Sequence, residues 1–402
     1  MTILAIALCL AAETSAGVGF QQRGFIDSRL SAFPQAGSND RARLVGETVW
    51  RHEASFETNA GWKFFSAVEA RTDSHHQTAR TWNWTADDRT IRRPAFALRR
   101  LSAQYHKGWM TLEVGRQFIR WGKADLLNPT DRFAPRDFVN VLTNDFLGVT
   151  GTRLTIEKSG NSLDAVWVPR FTPSRTPLLD QRWVSLPPGI ALNDLGARYP
   201  GGSQFGLRFN HVGRRYEASA MAYEGRNHLP LIDPSVTSRG FGVARFYPQL
   251  RLYGGDLAVP LRWFTVKTEA AWFTSRSPRF DEFVQYVVQL ERMAGEWALV
   301  GGYAGEKVTT RRNVLDFAPD RGLARTFLGR AAYTIDASRS AAFELAVRQN
   351  GRGAFGKLEF TQSAGAHWRV LAGYVLIRGE VQDFLGQYRR NSHLLLTVRY
   401  SY

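Results

Sequence analysis

Two-residue alternation recurs along the chain from end to end, and helical periodicity is nearly absent. In Trp62-Lys63-Phe64-Phe65-Ser66-Ala67-Val68-Glu69-Ala70-Arg71 the charges fall on one parity and most apolar groups on the other. The same holds for Arg51 to Phe56, Phe205 to Asn210, Phe343 to Arg348 and Leu358 to Thr361. Successive side chains of a strand point to opposite faces, so each segment reads as a strand with one wet and one greasy face.

The connections alternate in length. Short turns are expected at Asn59-Ala60-Gly61, Lys107-Gly108, Ser159-Gly160-Asn161, Gly213-Arg214-Arg215, Gly255 to Pro260, Ala294-Gly295-Glu296, Asp336 to Ser340 and Ala364-Gly365-Ala366. Longer polar loops lie between them, near 33–42, 72–92, 119–149, 170–201, 225–243, 276–281, 309–322, 350–352 and 379–388. Eight turns and nine loops predict eighteen antiparallel strands, with sixteen as the alternative count. Both termini then fall on the short-turn side.

An even strand number, short turns at one end and long loops at the other describe an all-β fold: a transmembrane up-and-down β-barrel of the bacterial outer membrane. A water-soluble propeller would show a blade repeat of about 40 to 50 residues, which is not visible. A soluble sandwich needs no greasy face on every strand. Phe56, Trp62, Tyr105, Trp109, Tyr216, Trp297 and Trp368 sit within a few residues of the short turns, where an interfacial aromatic girdle belongs.

The first sixteen residues hold an apolar run, Ile3 to Ala12, followed by the small-residue end Thr14-Ser15-Ala16, which predicts a signal peptide cleaved after Ala16. Residues 17–402 are then one barrel domain. The only cysteine, Cys9, lies in that leader, so thiol chemistry is not expected of the mature chain. No later stretch approaches the roughly 18 to 20 apolar residues of a membrane helix.

The formal charge is +16, carried by 45 Arg and 7 Lys against 36 acidic residues. Parity sends Arg51, Lys63, Arg71, Arg100, Arg153, Arg208, Arg251, Lys267, Arg330, Arg348, Lys357, Arg369 and Arg399 into the lumen, together with carboxylates that include Glu47, Glu69, Glu113, Asp164 and Glu269. Most of these are expected to pair. Guanidiniums left over in a confined aqueous lumen favour anions. Basic loop groups also suit the phosphates of lipopolysaccharide. No nucleic-acid motif accompanies the charge, so no nucleic-acid partner is expected.

The most distinctive segment is the third long loop, 119–149. It opens with Gly115-Arg116-Gln117, continues through Arg120-Trp121-Gly122-Lys123 to Asp125, and then reads Asn128-Pro129, Asp131-Arg132 and Pro135-Arg136-Asp137. Proline fixes its own φ and restricts the residue before it, so the Asn128-Pro129 and Ala134-Pro135 steps hold turn or extended backbone. Asn128, Asp131 and Asp137 are turn-forming acceptors. Arg116 breaks the parity of its strand, which predicts a bulge or strand end. The loop is expected to fold into the lumen as a constriction, either presenting Lys123, Arg132 or Arg136 to a passing anion or knitting itself to the wall by ion pairs. A calcium site from Asp125, Asn128 and Asp131 is a third reading on ligand type alone, though the spacing matches no EF-hand.

This loop motif resembles that of a group of porin-like outer-membrane proteins of Gram-negative bacteria. The final strand adds to the likeness. Leu394, Leu396, Val398, Tyr400 and Tyr402 share one parity, and an alternating strand ending on an aromatic resembles the signal by which barrel precursors are recognised for assembly. The strand and loop pattern predicts a passive channel for small hydrophilic solutes, the arginine surplus predicts a preference for anions, and no cofactor, metal or catalytic residue is expected. Implied partners are outer-membrane lipid and lipopolysaccharide, small anionic or polar solutes, and the barrel-assembly machinery; a homo-oligomer is compatible with it. The rival readings are a closed barrel acting as sheath or export channel for a polymer or protein, and an outer-membrane lipid-modifying enzyme.

Two other signals carry less. Gly351-Arg352-Gly353-Ala354-Phe355-Gly356 matches a dinucleotide-binding spacing, but it leads into a strand and not a helix, so it reads as a hairpin. His75-His76 lacks neighbours at metal-ligand spacing.

Overall fold

The computed structural model describes residues 19–143, 145–185, 192–238, 240–313 and 319–402. The expected leader and its cleavage point lie outside these residues.

The wall strands in chain order are β1 (Gly19–Ala32), β2 (Leu44–Glu57), β3 (Trp62–Asp73), β4 (Arg93–Lys107), β5 (Met110–Gln117), β6 (Val149–Lys158), β7 (Asn161–Val168), β8 (Gln204–Val212) and β9 (Glu217–Arg226). They continue as β10 (Gln249–Pro260), β11 (Thr265–Thr274), β12 (Glu282–Ala294), β13 (Trp297–Thr310), β14 (Thr326–Thr334), β15 (Arg339–Arg348), β16 (Gly353–Ala364), β17 (Trp368–Gly379) and β18 (His393–Ser401). Each pairs antiparallel with the next, and β18 pairs with β1 from Phe25↔Ser401 to Ala32↔Leu394. The result is a closed eighteen-stranded barrel. Closure leaves no unpaired edge, which a sheet crossing hydrocarbon requires.

Alternation separates the two faces. Phe20, Ile26 and Leu30 of β1 are exposed on the outside, whereas Asp27 between them is 1% exposed and turns inward. Outward apolar groups recur on the other strands, among them Leu207 and Phe209 on β8, Tyr286, Val288 and Leu290 on β12, and Leu394 and Leu396 on β18. Near the short turns Trp62 packs on Tyr105 with ring centroids 4.9 Å apart, Trp297 on Tyr333 at 4.8 Å and Trp368 on Tyr400 at 5.0 Å.

At the seam the Trp50 indole N–H donates to the Tyr402 hydroxyl at 2.8 Å. Gly24 makes room for this ring: a Cβ there would lie 2.5 Å from it.

One expected turn is misplaced. Gly255 to Pro260 belongs to β10, in register with β11 from Gly255↔Ala270 to Pro260↔Thr265. The reversal is Leu261 to Phe264, where the Leu261 N–H meets the Phe264 carbonyl at 2.9 Å. Leu257 and Val259 extend the alternation, and Pro260 is tolerated because it is the last residue of its strand.

The wall is completed by one segment that is not a barrel strand. β5 stops at Gln117, where the chain turns inward, and above that level Thr78–Asn83 of the second loop runs parallel to β4, from Thr78↔Arg93 to Asn83↔Ala97. Two smaller sheets are built by the loops: a three-stranded one from Leu192–Arg198, Leu231–Thr237 and Gly240–Phe246, and a ribbon of Arg136–Asp137 with Asp145–Phe146.

Candidate constriction in the lumen

The third loop lies inside the barrel against the inner faces of β8 to β12. Its entry is set by Gly115, whose φ of +121° is a left-handed value suited to glycine, and by Arg116, which turns inward and donates to the Thr85 carbonyl at 2.9 Å. Trp121 and Phe133 then meet edge to face at 5.2 Å, and Phe133 meets Tyr223 at 5.1 Å. Both rings lie on Gly206 of β8, where a Cβ would approach Phe133 to 2.4 Å and Trp121 to 2.6 Å.

Glu269, on the inner face of β11, is the main polar anchor. It accepts the Thr130 N–H at 2.8 Å, the Thr130 hydroxyl at 2.6 Å, the Lys123 N–H at 3.2 Å and the Ala124 N–H at 3.3 Å. Gly122, at φ +91°, lets the backbone come this close, since a Cβ would sit 2.8 Å from both carboxylate oxygens.

Neighbouring residues consume their charges similarly. The Lys123 ammonium contacts Glu217 at 2.8 Å, Asn210 at 3.0 Å and Asp256 at 3.1 Å. Asp125 accepts from Lys267 at 2.8 Å and from the Gln289 amide at 2.6 Å. Asn128 donates to the Ala124 carbonyl, and Pro129 behind it is buried. Asp131 accepts the Trp121 N–H at 3.0 Å. Asp125, Asn128 and Asp131 are thus spent on separate partners, and among the described residues no three His, Cys, Asp or Glu side chains converge.

The returning limb is held by carboxylates. Buried Pro135 offers its carbonyl to the Leu147 N–H at 2.8 Å. Asp137, 2% exposed, takes a two-pronged contact from Arg93 at 2.9 and 3.0 Å and a third bond from Arg175 at 2.9 Å. Burial alone would raise its pKa, but the two guanidiniums hold it well below the usual carboxylate range. Asp145 binds Arg99 at 2.8 Å, Arg51 at 3.3 Å and Arg71 at 3.4 Å, tying the ribbon to β2, β3 and β4.

Three arginines of the loop are balanced differently. Arg120, Arg132 and Arg136 surround Asp131, whose pKa burial pushes up despite them. Arg120 and Arg136 lie over the Phe146 ring, 4.2 and 4.7 Å from its centroid, and Arg132 lies 5.1 Å from that of Phe273. Arg120 is half exposed, and the Arg132 Nε has no hydrogen-bond partner among the described residues. Burial lowers the Arg136 pKa, and its cationic neighbours add to this. Arg120 and Arg132 thus share the carboxylate of Asp131, which leaves a local positive excess.

The wall cations expected in the lumen are nearly all paired. Arg153 meets Asp164 at 2.7 Å, Arg399 meets Asp27 at 2.6 Å and Arg208 meets Asp256 at 2.9 Å. Arg71 reaches Glu69 at 2.9 Å, Arg100 reaches Glu113 at 2.8 Å, and Arg51 binds Glu69 at 2.6 Å. Lys63 pairs with Glu57, Arg251 with Glu224, Arg330 with Glu344, Arg348 with Asp383 and Lys357 with Glu359. Arg369 has no ion pair among the described residues, and its register partner across β17 and β18 is Arg399.

Parity missed Arg99. β3 pairs Ala67 with Arg100 but Val68 with Leu98, so Arg99 is the extra residue of a bulge and both arginines turn inward. Arg93, Arg175 and Asp145 also escaped, since only the folded loops bring them to the site. His75 of the second loop contacts Asp40 of the first loop at 2.7 Å.

A closed, wide, antiparallel barrel with an apolar exterior, a charged interior and one long loop folded within is the architecture of a transmembrane β-barrel. Solved structures agree on the fold. The chain superposes on a BenF-like porin from Pseudomonas fluorescens Pf-5 with a TM-score of 0.57 at 8% identity, covering 96% of this chain and 98% of that one. For Pseudomonas aeruginosa OccK3 (OpdO) the TM-score is 0.55 at 10% identity, with 95% and 96% covered. For Acinetobacter baumannii OccAB4 it is 0.55 at 8% identity, with 95% and 98% covered. No family model and no curated protein matches the chain.

Proposed function

We propose that the protein is an integral outer-membrane porin that lets small hydrophilic solutes diffuse through a lumen narrowed by the third loop, and that it prefers anions. The observation that carries the preference is that Arg120 and Arg132 share the carboxylate of Asp131, with Arg120 half exposed. Almost every other lumen cation is neutralised by a neighbour, so the wall contributes little net field. Aromatic rings beneath the two guanidiniums hold them in place without cancelling their charge. Binding at such a site is weak, because a channel must release what it admits.

Planar-bilayer recording in a salt gradient tests both parts of the reading. Ion-conducting steps with a reversal potential of anionic sign are expected. Absence of conductance refutes the channel, and a cationic reversal potential refutes the preference.

A further inference from the structure

Arg378, Arg389 and Arg390 are exposed, and none has a side-chain hydrogen bond or ion pair among the described residues. They come together at the long-loop end of the barrel. Arg378 is near the end of β17, where Val375 and Ile377 are buried on the lumen side and Arg378 takes the outward parity. Ser392 joins the next segment to this point, its hydroxyl accepting the Ile377 N–H at 2.9 Å. Arg389 and Arg390 lie just before it, in the short helix Gly386–Asn391.

That helix has a period of about three residues. Leu385, Tyr388 and Asn391 therefore share one side, and it is the inner one: Tyr388 packs on Trp183, and the Asn391 amide donates to the Arg182 carbonyl at 2.9 Å. Arg389 and Arg390 are left facing away from the lumen. Nearby carboxylates are already engaged, Asp383 with Arg348 at 3.2 Å and Glu380 with Arg352 at 3.8 Å. Three uncompensated guanidiniums thus stand at the outer rim. Below them the barrel exterior is apolar, with Tyr374, Leu394 and Leu396 all outward and at least 40% exposed.

We propose that this rim binds a phosphorylated glycolipid of the outer leaflet, its phosphates held by the three arginines and its acyl chains lying on Tyr374, Leu394 and Leu396. Charge complementarity selects the phosphates, because planar guanidiniums form paired hydrogen bonds to them. The apolar strip directly beneath selects a lipid over a free anion. The site rests on the outer-membrane reading above, and it is separate from the lumen.

The test uses the full barrel in nonionic detergent, with thermal unfolding followed on adding bisphosphorylated lipid A, dephosphorylated lipid A or inorganic phosphate. Only bisphosphorylated lipid A is expected to raise the midpoint. The R378A/R389A/R390A variant should need about tenfold more of it for the same shift, since tenfold corresponds to about 1.4 kcal/mol shared over exposed charge contacts. R214A/R215A, in the opposite rim's Gly213 turn, should behave as wild type. An unchanged titration in the triple variant, an equal shift from inorganic phosphate or no response in the wild type would each overturn the proposal. Heat-modifiable electrophoretic migration checks that each variant forms the barrel. Conductance in bilayers free of lipid A reports the channel independently, so a silent channel counts against the porin reading and leaves the lipid site standing.

Discussion

Thr130 delivers both its backbone N–H and its hydroxyl to the carboxylate of Glu269, at 2.8 and 2.6 Å, across 139 residues of chain. A loop residue and a wall residue are thereby joined at the point where the third loop turns back. Lys123 and Ala124 share the same carboxylate, so one side chain fixes both limbs of the turn.

Replacing Glu269 with alanine should free this turn. Four donors lose their acceptor, at a cost of about 1–3 kcal/mol for each that stays buried. The loop is expected to leave the wall. Trypsin should then cut after Lys123 or Arg132, single-channel conductance should become larger or noisier, and barrel migration should stay unchanged. Glu269→Gln, which keeps the acceptor oxygen, should show a smaller effect.

Gly206 is the steric counterpart of that anchor. Valine there would drive its side chain into Phe133 and Trp121, an overpacking that costs about 1–3 kcal/mol. The expected result is displacement of the rings, read as a red shift in tryptophan emission. An unshifted spectrum would mean that the loop does not lie on β8.

The double substitution Arg120→Gln with Arg132→Gln removes two of the three charges around Asp131. A unit charge about 4 Å from a passing ion is worth about 1 kcal/mol in water. The anion-to-cation permeability ratio should therefore fall roughly threefold to tenfold in bilayer recordings. Lys123→Gln combined with Glu217→Gln should leave the ratio nearly unchanged, because the two paired charges cancel and are removed together.

Acidification separates the anchors of the loop. The Asp137 carboxyl titrates well below its ordinary value, so its stabilisation is present above about pH 3.8 and is lost only as the pH falls through the lower folded value. Protease resistance of the third loop should persist from pH 7 to pH 4. Asp137→Asn should weaken it already at pH 7, since Arg93 would keep only Glu47 and Arg175 only Asp88 as counter-charge.

Tyr402 caps the seam between the first and last strands. Tyr402→Ala removes the hydroxyl that receives the Trp50 N–H and the ring that lies over Gly24. Slower assembly in vivo is the expected outcome, measured as accumulation of the unfolded form. Tyr402→Phe keeps the ring and should assemble at close to the normal rate.

Alternation made the barrel legible, because every wall strand must sort its residues between lipid and lumen. The misplaced turn at Gly255 shows the limit: paired glycines look like a reversal, yet here they sit in register between β9 and β11. Arg99 was lost for a similar reason, since a bulge shifts parity without marking the residue types. Within the third loop the turn chemistry of Asn128, Pro129 and Asp131 was readable. Partners such as Glu269, Arg93 and Arg175 were not, because they lie tens of residues away and only three-dimensional closure selects them.

The parallel segment Thr78–Asn83 stands beside β4 where β5 has already left the wall. The second and third loops are therefore interdependent in length. If the third loop left the wall one turn earlier, a longer opening would face the hydrocarbon, and the second loop would have to grow to seal it. Sequence changes in these two loops should be inherited together, and grafting either one alone into another barrel should leave a side window in the wall.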